Sequence, residues 1–387
     1  MFVRAAGAVL ALASGAGTAE QAMAQPQASA VCPRSIAAIE EAVSRTLRQG
    51  SPGMAVGISH RGQVIFARGY GLANVEHQAP ITPDSPFLLA SVTKQFTAAA
   101  ILLLVQEGKV RLEDKLSRYL PGFAEAGEVT LYQLLVHTSG IPDYAEDPAG
   151  SPTKAVPKTL NEMVAWISRL QTKRLFAPGT AWGYSNSNYV LLGKVIEQAS
   201  GASLPDFFQR RLFAPAGLKD TAFDDPTQVV PRRVQGYRRA RGAPSGFANA
   251  DWISPSIPGA AGGLRTTITD LLRWSDSLHG GRIIDRERLQ LMTRAGLLSD
   301  GRTTKEGMPI EWQRGLNAAY GLGVFVSPAG KGNRIWHGGD IDGFSTWLAY
   351  YPAYDLSIAL MENSQSADMD EEAIERAAIA SVEGSCS

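Results

Sequence analysis

Apolar positions along this chain recur in two rhythms, and the change from one to the other marks out its elements. Ile36, Ile39, Val43 and Leu47 share one helix face in a stretch that ends at Gly50. Residues 54–59 and 64–70 read as two strands joined across His60-Arg61-Gly62-Gln63, where the glycine supplies the turn. From Ser91 to Glu107 the chain is rich in Ala and Leu, has no internal Gly or Pro, follows Pro86 and stops before Gly108. These features predict a helix over 91–107 with a left-handed C-terminal cap, and a middle that is apolar on every side predicts its burial.

Helical patches follow at 131–136, 160–170, 189–199 and 204–212, cut by Pro and Gly, with no strand pattern of similar strength among them. Residues 238–263 shift to Arg, Gly, Pro, Ser and Asn, which reads as a long irregular connection. Helical spacing returns at 269–278 and 283–292. Strand patterns then recur at 323–327, 334–337, 344–351 and 357–362, with Pro352-Ala353-Tyr354-Asp355 turning between the last two, before a final helix over 367–382. No internal repeat is visible. This order predicts an α+β fold: an antiparallel sheet built from both chain ends and flanked by the terminal helices, with a mostly helical lobe inserted. The α/β lobe takes residues 33–88 and 260–387, and the helical lobe 89–259.

The composition narrows the partners. With 387 residues, 44% of them hydrophobic, the chain can bury a large core, and its formal net charge of +0 gives no electrostatic reason to bind nucleic acid or an anionic membrane. Arg4, the small and apolar run from Ala5 to Gly17, and Ala22-Met23-Ala24 make a secretory signal pattern over residues 1–24, cut after Ala24, with Ala28-Ser29-Ala30 as a second possible site. The remaining domain, 25–387, is then expected in the periplasm or outside the cell, without stable membrane insertion. Cys32 and Cys386 are the only cysteines. In an oxidising compartment they could pair and tie the two ends together, and a sheet made from both ends makes that pairing geometrically reasonable.

Residues three apart share a helix face, so Ser91 and Lys94 can touch at the first turn. A serine hydroxyl is a weak nucleophile unless a base takes its proton, and a buried Lys can be deprotonated where an Arg could not. The spacing alone is weak evidence, since Ser151-Pro152-Thr153-Lys154 repeats it inside a Pro-rich loop. Tyr184-Ser185-Asn186 lies on a loop between a turn at 176–180 and the helical patch that begins at Tyr189. Its phenol could relay protons beside a lysine, and its amide could orient a carbonyl and that lysine. His337-Gly338-Gly339-Asp340 ends a strand, where glycines allow another backbone to approach and pair. His337 could bond substrate or tune Tyr184, and the N–H groups of Ser91 and Asp340 are candidate oxyanion donors. His137 reads as structural. There is no Gly-x-Ser-x-Gly elbow, no His-Glu-x-x-His and no phosphate loop, so no metal or cofactor is expected.

Taken in this order, Ser91-Val92-Thr93-Lys94, Tyr184-Ser185-Asn186 and His337-Gly338-Gly339 resemble the three active-site motifs of the β-lactamase-related serine hydrolases. That family includes class C β-lactamases, D-alanyl-D-alanine carboxypeptidases, D-aminopeptidases and some esterases. The resemblance runs from about Gly53 to Ser364 and takes in His137-Thr138-Ser139-Gly140-Ile141-Pro142. It implies a nucleophile at Ser91, proton transfer by Lys94 and Tyr184 with the acylation base left open between them, and substrate binding by Asn186, His337, Gly338 and Gly339. It also implies an oxyanion hole at Ser91 and Asp340, and a site between the lobes. One departure bears on substrate: most β-lactamases of the family carry Lys-Thr-Gly where this chain has His337-Gly338-Gly339, so a carboxylate loses a cation and a hydroxyl, worth about 1–3 kcal/mol. The implied activity is hydrolysis of D-amino peptides, short esters or β-lactams through a Ser91 acyl-enzyme, on a small-molecule or short-peptide substrate; the sequence does not fix the oligomeric state, and a monomer is favoured. The alternatives are a class C-like β-lactamase and a non-catalytic penicillin-binding-type protein that recognises cell-wall peptide.

Overall fold

The strand Met54–His60 is buried at its first six positions, although strands half-exposed to water alternate. Continuous burial requires cover on both faces of its sheet, and the surroundings supply it. In the computed structural model, which describes residues 33–48, 50–123, 127–147, 154–240, 242–243, 245–365 and 370–384, this strand is an interior strand of a seven-stranded sheet. In spatial order the strands are Ala319–Tyr320, Phe325–Ala329, Gly332–Ile341, Phe344–Tyr351, Leu356–Glu362, Met54–His60 and Gln63–Tyr70, with every neighbouring pair antiparallel. Met54 faces Glu362 and His60 faces Leu356, so the N-terminal hairpin completes a C-terminal meander. The sheet is made from both chain ends, as the hydrophobic pattern predicts.

Side-chain alternation divides the cover. Met54, Val56 and Ile58 pack with Leu356, Ile358 and Leu360 against the terminal helices Pro33–Thr46 and Glu371–Val382. Ala55 and Gly57 face the helix Ile268–His279 on the other side. Gly57 is needed for that approach: a Cβ there would stand 2.7 Å from Ile268 Cγ1 and 2.9 Å from Leu272 Cδ1. The apolar cluster under Ile268–His279 continues through Phe96, Leu102, Leu191 and Phe208 into the helical part of the chain. Among the described residues no helix is long and apolar enough to cross a membrane. Residues 1–24, Cys32 and Cys386 lie outside the described residues.

Several boundaries differ from the sequence pattern. The strand expected over 334–337 runs from Gly332 to Ile341, because both glycines stay in the extended ladder opposite Thr346 and Trp347. The helix expected from Ser91 begins at Thr93, after a 3-10 turn at Ala90–Val92. The connection over 238–263 holds a short hairpin of Tyr237–Arg239 with Phe247–Asn249.

Candidate active site

Ser91 sits in the 3-10 turn, one residue after Ala90, whose φ of 46° is a left-handed conformation that costs a non-glycine residue about 1–3 kcal/mol. Tertiary contacts hold the turn there. Thr346 Oγ1 donates to Leu89 O at 2.8 Å, and Gly339 of the neighbouring strand lies against the turn's backbone. A Cβ on Gly339 would come within 2.8 Å of both Leu89 O and Ser91 N, so only glycine lets strand and turn meet. Asp340 is therefore the residue next along the strand from the point that abuts the Ser91 amide.

One turn on, Lys94 is fully buried, on a helix whose middle is apolar on all sides. Its Nζ makes three contacts: Ser91 Oγ at 3.0 Å, Asn186 Oδ1 at 2.8 Å and Ala261 O at 2.8 Å. Burial holds its pKa down to about 7, against the opposing pull of the Asp143 carboxylate. A neutral amine here has two N–H bonds for Asn186 and Ala261 and a lone pair for the Ser91 hydroxyl proton. The buried amine thus has the geometry and the proton affinity of a base for Ser91 near neutral pH.

The second motif straddles a helix start rather than lying wholly on a loop. Tyr184 precedes the helix Asn186–Ser200, and Asn186 is its first residue. His137, at a φ of 59°, braces the approach: its carbonyl accepts from Gly183 N at 2.9 Å, its Nδ1 accepts from Ser185 N at 3.2 Å, and its ring centroid lies 4.4 Å from that of Tyr184. Burial pushes the Tyr184 phenol's pKa well above the ordinary tyrosine value, against the opposing pull of the Ser91 hydroxyl, so it stays protonated and available as a donor. Trp312 stacks on the Tyr184 ring at 6.0 Å, and Lys94 Nζ lies 4.9 Å from the ring centroid.

Asn186 is held by a residue the sequence reading missed. Asp143 Oδ2 accepts from Asn186 N at 3.0 Å and from Asn186 Nδ2 at 2.8 Å, which turns the amide oxygen toward Lys94. Asp143 Oδ1 accepts from Ala145 N at 3.0 Å, and in the sequence an Asp in a turn reads only as such a cap. Nothing in the spacing marks it, because 43 residues separate it from Asn186.

In the third motif, His337 is 2% exposed and turned into the protein. Burial lowers its pKa to about 3, so the ring is neutral. Nδ1 lies 2.5 Å from Gly338 O and Nε2 lies 3.0 Å from Tyr320 OH, which assigns the proton to Nδ1 and makes Nε2 the acceptor. Both nitrogens are thereby committed within the protein. Gly338 and Gly339 differ: a Cβ on Gly338 would meet nothing nearer than 3.8 Å. The strand Phe325–Ala329 pairs only as far as Trp336, so among the described residues the backbone edge from His337 to Ile341 carries no ladder partner on that side.

Ser91 and Asn186 open on a cavity of about 380 Å³, with Tyr144, Trp166, Ile257 and Ile341 among its walls. Trp166 is fixed there by its Nε1 bond to Asp147 Oδ2 at 3.0 Å and by the Tyr144 ring at 5.5 Å. A sheet built from both chain ends, a serine at the head of a buried helix and a buried lysine beneath it define a serine hydrolase of the Ser-x-x-Lys type. The chain matches the Beta-lactamase family over residues 19–382 and belongs to that family.

Penicillin-binding protein 4* of Bacillus subtilis is 29% identical over 332 residues, covering 82% of this chain and 69% of that protein. D-aminopeptidase of Brucella anthropi is 29% identical over 346 residues, 85% of this chain, and the chain spans 60% of that protein's length. The crystal structure of D-amino acid amidase from Ochrobactrum anthropi SV3 in complex with L-phenylalanine amide superposes with a TM-score of 0.76 at 26% identity, covering 92% of this chain and 100% of that one.

Proposed function

We propose that the protein is an exported hydrolase that cleaves amide or ester bonds through an acyl-enzyme on Ser91, with D-amino-acid amides, D-amino peptides or short esters as substrates ahead of β-lactams. The observation that carries this reading is the fully buried Lys94 amine, 3.0 Å from Ser91 Oγ with its pKa down to about 7. Lys94 takes the Ser91 proton as Oγ attacks the carbonyl, and the N–H groups of Ser91 and Asp340 meet the developing oxyanion. Tyr184, kept protonated by burial, donates to the leaving group. Asn186 holds the lysine and the substrate carbonyl. Water then releases the acyl group by the reverse proton path, and no step calls for a metal or cofactor.

Two features support substrates whose acyl part carries no carboxylate. The third motif offers no cation, because His337 is neutral and both its nitrogens are engaged. The similarity to a D-aminopeptidase and a D-amino acid amidase supports the same side of the family. Export rests on the leader pattern at residues 1–24, and the working unit is taken as a monomer, which sedimentation tests. The substrate test is a panel of D-amino-acid amides, D-alanyl peptides, short nitrophenyl esters and nitrocefin, compared by kcat/KM on one preparation. Esters or D-amino substrates should lead, and nitrocefin in first place would overturn the ranking.

A further inference from the structure

Among the described residues that line the cavity beside Ser91, Lys154 is the single cation, and it is already taken. Its Nζ lies 2.7 Å from Asp342 Oδ2 and 3.6 Å from Asp251 Oδ2. Neither member of the close pair is free to wander. Lys154 O accepts from Ser254 N at 2.8 Å, which fixes its backbone to the connection before the cavity. Asp342 occupies the two-residue turn with Gly343 that joins Gly332–Ile341 to Phe344–Tyr351. Gly343 has a φ of 83° and sits so close to Gly236 and Ala250 that a Cβ would come within 2.7 Å of both, so the turn is clamped in place. The lining carries two carboxylates, Asp340 and Asp342, against the one ammonium.

We propose that Asp342 is a specificity-determining residue that denies the cavity to carboxylate-bearing substrates by sequestering Lys154, leaving it to acyl groups that carry no carboxylate and have apolar side chains. This rests on the reading of Ser91 as the acylated serine and deepens it by naming the substrate class. A substrate carboxylate entering the cavity must displace Asp342 from Lys154 while facing Asp342 and Asp340 as like charges, and discrimination by an uncompensated like charge needs no added contact to the preferred substrate. The walls at Trp166, Tyr144, Ile257 and Ile341 favour an acyl group without a carboxylate by ordinary burial of apolar surface. The same cation therefore becomes a carboxylate anchor once its partner is neutralised.

The test uses two near-isosteric nitrophenyl esters, the neutral butyrate and the singly charged hydrogen succinate. The readout is the ratio of kcat/KM for succinate to that for butyrate. Asp342→Asn should raise the ratio by about tenfold or more, the size of a new charge-assisted hydrogen bond to Lys154 combined with relief of one repulsion, and the effect should shrink in about 0.5 M NaCl. Asp251→Asn, which relaxes the longer ion pair, should raise it less. The double variant Lys154→Met with Asp342→Asn should return the ratio to within about threefold of the wild type, because the freed cation is then gone. A ratio that stays within about threefold of the wild type in Asp342→Asn, or an increase that survives the loss of Lys154, overturns the proposal. Butyrate hydrolysis alone reports on Ser91, so failure of the acyl-enzyme reading shows as butyrate turnover in Ser91→Ala and is distinct from an unmoved ratio.

Discussion

Replacing Asp143 by Asn keeps the side chain's shape and removes its charge, and the effect should be read at Lys94. The carboxylate lies beyond Asn186, which touches Asp143 at 2.8 Å through Nδ2 and Lys94 at 2.8 Å through Oδ1. Adding the width of the amide puts the two charges within about 8 Å, where an effective dielectric near 20 gives an attraction of about 2 kcal/mol, or about one and a half pH units. Asp143 raises the Lys94 pKa, against the burial that sets it at about 7. Loss of the charge therefore favours the neutral amine, so the base form appears at lower pH. The acid limb of the kcat/KM profile should move down by at least about one unit, allowing for screening. The plateau should fall as well, because an Asn cannot accept from Asn186 and Ala145 with both of its terminal atoms. Stopped-flow or steady-state hydrolysis of a nitrophenyl ester across pH 4.5–9 measures both effects. An acid limb that stays within about 0.3 unit while the plateau drops would show that Asp143 holds shape only, and the electrostatic account of Lys94 would be wrong.

Other outcomes follow from the same geometry. Lys94→Arg should lose about a thousandfold or more in kcat/KM toward nitrophenyl esters, since guanidinium cannot take the Ser91 proton, and retention of more than a tenth of the rate would contradict the base assignment. Gly339→Ala should cost about 1–3 kcal/mol, because its Cβ meets Leu89 O and Ser91 N at 2.8 Å, whereas Gly338→Ala meets nothing nearer than 3.8 Å and should leave Tm within about 2 °C of the parent. Equal melting shifts for the two would refute the close approach. His337 is neutral when folded, with a pKa of about 3 against 6.5 for a free side chain, so the unfolded chain takes up the proton first as pH falls. Stability should then decline from pH 6.5 downward, by about 2 kcal/mol at pH 5 from this group alone, and a urea midpoint whose decline is as steep in His337→Gln would remove it as the cause.

How far the sequence foretold this arrangement depends on the distance over which each signal acts. The sheet was legible because 54–70 and 323–362 carry strand rhythms with helices on either side, and a doubly covered sheet leaves long buried runs. The Ser91 and Lys94 pair was legible because one helical turn spans three residues. Tyr184 and His337 gained meaning only from their order and company. Asp143 was invisible because its partner is 43 residues away, and a turn Asp already has a local use. The orientation of His337 was open too: a strand residue can face either side, and the pattern at 334–337 gives out at two glycines that the ladder in fact continues through. Backbone detail such as the left-handed Ala90 arises from tertiary contacts with Thr346 and Gly339, which no local preference announces.

Whether Ser91 is the nucleophile is decided by the intact mass of the protein after mixing with a slowly hydrolysed acyl ester or a fluorophosphonate, followed by peptide mapping, in the wild type and in Ser91→Ala. One adduct per chain is expected, located on Ser91, forming faster as pH rises through about 7 and absent from Ser91→Ala. An adduct on another residue, or ester turnover by Ser91→Ala at the wild-type rate, would contradict the acyl-enzyme at Ser91.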